Sequence, residues 1–207
     1  MSRDYKIPGT FFVLILLILG MKKLTLFTFL LFIILSDSCK SKQSKKEEGI
    51  FPVLSFIKSQ VAHVDTSLYQ IIKLTSRDST WDTTYIKREE FKSYATDFLT
   101  LPDLTESIYA GKYEESKFFD ATLDRAIITY TPKDKSAEIQ REEVTIAPNQ
   151  DGGDKVKNII VDKLVIAKDS TVTKRMLWNV DESFQITSIV QKQGREDSTQ
   201  TIKITWQ

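Results

Sequence analysis

The sequence predicts an α+β body, in which a curved antiparallel β-sheet meander of about nine strands carries two or three helices on one face. Two observations carry the prediction. Apolar residues recur at helical spacing in the first half of the body, and they alternate at strand spacing from residue 113 to the end. Short turn-like segments separate the alternating runs, which favours antiparallel neighbours.

The first predicted helix is Phe51–Asp65. Pro52 suits its first turn, and its apolar residues repeat three or four positions apart. The residues of this stripe are Val53, Ile57, Val61 and Val64. A hairpin follows, with strands at Tyr69–Ser76 and Thr80–Lys87 around the turn residues Arg77-Asp78-Ser79.

The pattern returns to helical spacing at Arg88–Leu99, where Phe91, Ala95 and Phe98 share one face. A short helical segment is predicted to begin at Pro102 and Asp103 and to end at Gly111.

From Tyr113 onward the sequence predicts strands. The last strand shows the clearest alternation, with Ile202, Ile204 and Trp206 on one face and polar residues between them, as in a sheet with one buried face. Two earlier strands follow the same pattern, except at Lys174. Hairpin turns are predicted at Asn149–Asp154, Asp181-Glu182-Ser183 and Gln193–Asp197.

The charge balance argues against a nucleic-acid partner. The chain has 29 basic and 28 acidic residues, and residues 1–38 hold four and two of them, which leaves 25 basic and 26 acidic residues. A nearly neutral body lacks the basic patch of a nucleic-acid binder. One cysteine excludes an internal disulfide, and one histidine excludes a zinc site built from several histidines.

Residues 1–38 have the composition of a signal segment. Lys22 and Lys23 form a positive region, and the apolar run Leu24–Leu35 has the length of a signal-peptide core but is too short to span a bilayer. An earlier apolar run lies before these lysines. Met21 is therefore a candidate translation start, with residues 1–20 an over-extended reading frame.

Leu35-Ser36-Asp37-Ser38-Cys39 resembles the lipobox of bacterial lipoproteins. Ser38 matches the small residue expected before the cysteine, whereas Ser36 stands where leucine is usual and Asp37 is an uncommon neighbour. The resemblance implies that the thiol of Cys39 receives a diacylglyceryl group, that the leader is cut before Cys39, and that the new amino terminus is acylated, with palmitate among the acyl chains. Two or more acyl chains hold a protein firmly at a membrane.

Residues 39–49 are then predicted to be the lipidated cysteine and a flexible charged tether, because residues 40–49 contain no apolar side chain. Residues 50–207 form the single globular domain. In the lipoproteins that the chain resembles, aspartate directly after the cysteine signals retention in the inner membrane. Lys40 stands there, which implies an outer-membrane location facing the periplasm.

The sequence predicts no catalytic, metal or cofactor site. Phosphate-binding glycine loops are absent, and His63 has no recognisable nucleophile beside it. Asn149–Asp154 does not have the spacing of an EF-hand calcium loop. Three adjacent acidic pairs occur, but neighbours on a strand point to opposite faces, so a pair alone does not indicate a hydrolase. These pairs are Glu89-Glu90, Glu114-Glu115 and Glu142-Glu143.

Three functions stay open. The first is a non-enzymatic envelope lipoprotein that binds protein partners or supports an assembly, and the body is broadly similar to small uncharacterised lipoproteins of Gram-negative envelopes. The second is a carrier of a lipid or another apolar ligand, since the predicted sheet resembles the half-barrel of envelope lipoprotein carriers. The third is a hydrolase of unrecognised type. The carrier hypothesis predicts a lining of Met176, Trp178, Phe184, Ile186, Ile202, Ile204 and Trp206.

Overall fold

The computed structural model describes residues 49–77, 80–148 and 153–206. The predicted signal segment, Cys39 and the tether up to residue 48 lie outside the described residues. Residues 78–79 and 149–152, which form most of the predicted turns at Arg77-Asp78-Ser79 and Asn149–Asp154, lie outside the described residues as well.

One open antiparallel sheet dominates the described part of the chain, and it confirms the predicted fold class. Its nine strands lie in the order β2-β1-β9-β8-β7-β6-β5-β4-β3, so β2 and β3 are the two edges. The strands are β1 Ile71–Arg77, β2 Thr80–Tyr85, β3 Tyr113–Asp120, β4 Arg125–Pro132, β5 Ile139–Ala147, β6 Lys155–Ile166, β7 Ser170–Asn179, β8 Ser183–Lys192 and β9 Ser198–Trp206.

The register aligns apolar side chains in rows across one face of the sheet. One row passes through Val144, Ile159, Trp178, Phe184 and Ile204. Because side chains alternate along each strand, the next row on the same face lies two residues away. That row contains Glu115, Tyr130, Glu142, Val161, Met176, Ile186 and Ile202.

Three α-helices occur in the described residues, and they contribute their apolar sides to the same core as these rows. They are α1 Val53–Thr66, α2 Arg88–Tyr94 and α3 Thr96–Leu99. The predicted helix Arg88–Leu99 is thus interrupted at Ala95, whose ψ of 1° departs from helical geometry. Phe91, Ala95 and Phe98 are nevertheless all buried, so the apolar stripe continues across the break.

The predicted helical segment from Pro102 to Gly111 is wrong in extent, because only a 3₁₀ helix at Ser107–Tyr109 forms there. The backbone here closes turns with i→i−3 bonds, from the Glu106 amide to the Asp103 carbonyl at 3.0 Å and from the Tyr109 amide to the Glu106 carbonyl at 2.9 Å, instead of the i→i−4 bonds of an α-helix. The Asp103 carboxylate caps the first turn, since it accepts hydrogen bonds from the amide and hydroxyl of Thr105 at 3.0 and 2.6 Å.

Aromatic rings fill the centre of the core. The ring of Phe98 lies 5.1 Å from that of Trp178 and 5.5 Å from that of Phe184, and Phe91 meets Trp206 at 5.3 Å. These side chains are fully buried or nearly so. The helices therefore cover the sheet by direct ring packing.

Candidate functional site

A pocket of about 530 Å³ opens at one end of the sheet. Its wall comes from the segment around the 3₁₀ helix, from the start of β3 and from the connection between β4 and β5. The lining residues are Pro102, Tyr109, Gly111, Lys112, Tyr113, Pro132, Lys133, Asp134, Ser136, Ala137 and Glu138. Tyrosine and proline provide the apolar surface, and charges of both signs surround it.

Two tyrosines form one side of the pocket. The rings of Tyr109 and Tyr113 meet edge to face at 6.3 Å. The hydroxyl of Tyr113 donates a hydrogen bond of 3.3 Å to the carbonyl of Ile139. Burial, followed by the nearby Tyr109, Glu142 and Glu138, raises the pKa of Tyr113 to about 12, so the hydroxyl stays protonated at neutral pH.

Backbone contacts shape the charged side of the pocket. The amide of Lys133 donates to the carbonyl of Lys112 at 2.9 Å, which holds the two lysine-bearing segments together. The Asp134 carboxylate accepts bonds from the Ser136 amide and hydroxyl at 2.9 and 2.8 Å, and these bonds lower the pKa of Asp134. Gly111 has a φ of +71°, a conformation that glycine adopts without a steric penalty.

Glu142 is a buried carboxyl close to this pocket, although it does not line it. Its residue exposure is 2%, and its Oε1 atom has no hydrogen-bond partner in the described residues. Burial and, to a lesser degree, the negative charge of Asp103 raise the pKa of Glu142 to about 8. The carboxyl is therefore neutral at pH 7, which avoids the high cost of a buried unpaired charge.

Tyr130 neighbours Glu142 in the row across the sheet. Its hydroxyl accepts a hydrogen bond of 2.9 Å from the amide of Phe51 and also hydrogen-bonds Glu115. Burial raises the pKa of Tyr130 to about 12. A line of polar groups thus extends from the edge strand β3 to Glu142 on the buried face.

The residues of the predicted carrier lining lie in or beside the packed core. Met176, Trp178, Phe184 and Ile204 are fully buried, Trp206 and Ile186 nearly so, and Ile202 is half-buried. Phe91 and Phe98 occupy the space over the tryptophans. Ile186 and Ile202 also line a second pocket of about 330 Å³, whose other walls include Asp97, Lys174 and Gln200.

The remaining residues considered from the sequence do not converge on one cleft. His63 lies on the exposed side of α1, with its ring 6.2 Å from that of Tyr69. Glu90 accepts a hydrogen bond of 3.0 Å from the Lys87 amide at the start of α2. Glu143 points to the outer face of the sheet, where Arg141 binds it at 3.1 Å.

Neither the pocket nor the buried carboxyl of Glu142 was predicted from the sequence. The signal for Glu142 was present, since Glu142, Val144 and Ile146 alternate and place the glutamate on the apolar face of β5. The pocket had no such signal, because it joins segments that are distant in the sequence and irregular in structure.

Neither the protein-family models nor the curated proteins and solved structures compared with this chain give a match. Within the described ranges, no three His, Cys, Asp or Glu side chains are grouped closely enough to hold a metal ion. No helix of those ranges is both long and apolar enough to cross a bilayer.

Proposed function

We propose that this protein is a lipid-anchored envelope lipoprotein whose body is a non-enzymatic binding or assembly protein. Its pocket beside Tyr113 would recognise a segment of a protein partner. The observation that carries the proposal is the chemistry of this pocket, in which aromatic rings and prolines adjoin Lys133, Asp134 and Glu138. Such a surface suits a peptide segment that carries both apolar and charged groups.

The anchor part of the proposal rests on the resemblance of residues 35–39 to a lipobox. Lys40, directly after the cysteine, favours the outer membrane, facing the periplasm, as the location of the anchored protein.

Binding is favoured over the two alternatives. A carrier needs an apolar void, whereas rings of α2 and α3 pack against the proposed lining. A hydrolase of the glycosidase type needs a carboxylic acid that stays protonated beside the substrate. Glu142, whose pKa is raised, does not line the pocket, whereas Asp134, which does, is bonded to Ser136 and has a lowered pKa. A pair of carboxylates facing each other across the pocket would be required as well.

The test is site-specific photo-crosslinking of the full-length lipoprotein in its native envelope. A photoreactive residue replaces Ala137, which lines the pocket, or Glu196, which is exposed in the turn before β9. We expect a discrete protein adduct from position 137 and none from position 196. The adduct should disappear when the pocket also carries Lys133→Glu or Tyr109→Ala.

Circular dichroism of these variants checks that the fold persists. An adduct that survives both pocket substitutions would contradict the proposed site. Failure to form any adduct from position 137, with the protein folded and present in the envelope, would contradict partner binding at this pocket.

A further inference from the structure

The edge strand β2 presents an open hydrogen-bonding edge. All six of its residues are exposed, and it pairs with β1 alone. The pairing with β1 is regular throughout, from Ile72 opposite Tyr85 to Arg77 opposite Thr80. An exposed and regular edge of this kind is a template for another strand.

The direction of the free backbone groups follows from the bond between the amide of Ile86 and the carbonyl of Ile71 at 3.1 Å. In an antiparallel pair, hydrogen-bonded positions alternate along the strand. Asp82 and Thr84, like Ile86, therefore direct their backbone groups toward β1. Trp81, Thr83 and Tyr85 direct theirs outward, away from the sheet.

The strand lacks the features by which proteins usually protect an edge. It contains no proline, lysine or glycine, its register shows no bulge, and Asp82 is its single charged residue. The opposite edge, β3, carries Glu114, Glu115 and Lys117. Charges and prolines on edge strands discourage pairing, so β2 is the more receptive edge.

We infer that β2 pairs with β2 of a second copy of this chain, antiparallel and with Thr83 of each copy at the two-fold axis. This register matches the outward-directed groups of the two strands, because Thr83 meets Thr83 and Trp81 meets Tyr85 of the other copy. Each of these three opposed pairs exchanges two backbone hydrogen bonds. The result is one continuous sheet through both copies.

The side chains agree with the same register. Trp81 and Tyr85 are 58% and 68% exposed and lie on one face of the strand, so the pairing would place two Trp–Tyr contacts across the dimer interface. Aromatic cross-strand pairs stabilise antiparallel strands. A two-fold interface requires such self-complementarity.

Charge favours this register over the one centred on Asp82. With Thr83 on the axis, Asp82 faces Thr84 of the other copy, and a carboxylate faces a hydroxyl. Moving the axis to Asp82 would oppose two aspartates, which is unfavourable. Trp81 and Tyr85 lie two residues on either side of Thr83, so a second copy of β2 matches this strand aromatic to aromatic.

The first test is the mass of the full-length lipoprotein, released from detergent in native mass spectrometry over a concentration series. We expect a monomer–dimer equilibrium. Thr83→Pro removes an outward amide without removing a bond to β1, and it should abolish the dimer. Thr83→Val keeps the amide and is the matched control, so its dimer should persist.

Charge variants at Thr84 give a second test that does not depend on proline. Thr84→Asp would face Asp82 of the other copy twice and should weaken dimerisation about three- to tenfold, whereas Thr84→Lys should strengthen it by a similar factor. Within one copy, Thr84 faces Lys73. The aspartate is thus favourable and the lysine unfavourable for the fold of the monomer, so opposite effects on dimerisation separate pairing from folding.

A monomer at every concentration would overturn the inference, as would a dimer that Thr83→Pro leaves intact or that responds equally to both charges at position 84. The inference does not depend on what the pocket beside Tyr113 binds. A wild-type protein that stays monomeric at every concentration but still crosslinks from position 137 would contradict only the pairing.

Discussion

The amide of Phe51 donates a hydrogen bond of 2.9 Å to the hydroxyl of Tyr130, which lies 79 residues later in the chain. This hydrogen bond links the segment before α1 to strand β4. Tyr130 also stands between Glu115 and Glu142 in the row across the sheet. One hydroxyl therefore connects the start of the helical layer with the polar end of the buried face.

Replacing Tyr130 by phenylalanine should lower the free energy of unfolding by about 1–2 kcal/mol, because the amide of Phe51 loses its partner in a partly buried place. Chemical denaturation of the full-length protein measures this loss. Tyr85→Phe is the control, since the Tyr85 side chain is largely exposed. Equal stabilities of the two variants would contradict the role of the hydrogen bond.

Because Glu142 is buried and neutral, we expect the free energy of unfolding of the protein to fall as the pH rises. Its pKa is about 8 in the folded protein, against a value of 4.5 without burial. Between these pKa values the folded state therefore holds a proton that the unfolded state releases. The stabilising contribution of the protonated Glu142 is fully present below about pH 4.5. Between the two pKa values, stability should fall by about 1.4 kcal/mol per pH unit, and the loss should level off above about pH 8.

The substitution Glu142→Gln should flatten this profile, because glutamine does not ionise. At about pH 7 the unfolded variant also lacks the ionisation that favours unfolding of the wild type, while its buried amide meets the unpartnered surroundings of Oε1. The slope of stability with pH is therefore the decisive quantity. Denaturation curves at several pH values measure this slope. Glu143→Gln is the control on the other face of β5, and a pH profile that Glu142→Gln leaves unchanged would refute the buried neutral carboxyl.

Removing the Phe98 side chain should lower the stability of the fold strongly. It is fully buried against Trp178 and Phe184, so Phe98→Ala should lower the free energy of unfolding by about 3–5 kcal/mol. Phe118→Ala removes a ring that is 64% exposed and should change stability little. Thermal and urea unfolding of both variants test this. A small effect at Phe98 would indicate that the core has room to collapse.

The lipobox resemblance predicts a specific chemical form of the protein. The intact mass of protein extracted from membranes should correspond to a chain that begins at Cys39 and carries two or three acyl chains. The variant Cys39→Ala should lose the lipid mass and leave the detergent phase during phase partition. A wild-type protein that lacks lipid, or retains residues 1–38, would contradict the proposed anchor.

The strands after residue 113 could be predicted from the sequence, because one face of the sheet is buried and the other is not, so apolar and polar residues alternate. Ile202, Ile204 and Trp206 alternate for this reason, and they do face the core. Lys174 interrupted the pattern for a reason that only the tertiary structure reveals. Its amine lies 2.6 and 2.7 Å from the two carboxylate oxygens of Asp97 in α3, at the margin of the core.

The features that were not predicted depend on contacts between distant segments. The interruption at Ala95 lies within a continuous apolar stripe, so spacing alone could not reveal it. The pocket joins Tyr109, Lys133 and Glu138 only after β3, β4 and β5 have paired. The raised pKa of Glu142 likewise requires the burial that the segment around Asp103 and the sheet provide together.

The position of β1 in the sheet has a consequence for how the protein is made. Its partner besides β2 is β9, and Ile71 lies opposite Trp206. A ribosome completes β1 long before β9. The hairpin of β1 and β2 therefore leaves the β9 side of β1 unpaired until almost the whole chain has emerged. Long-range pairing of this kind slows folding. A chain that stays open during synthesis is also one that a translocation channel can thread across a membrane before the sheet closes.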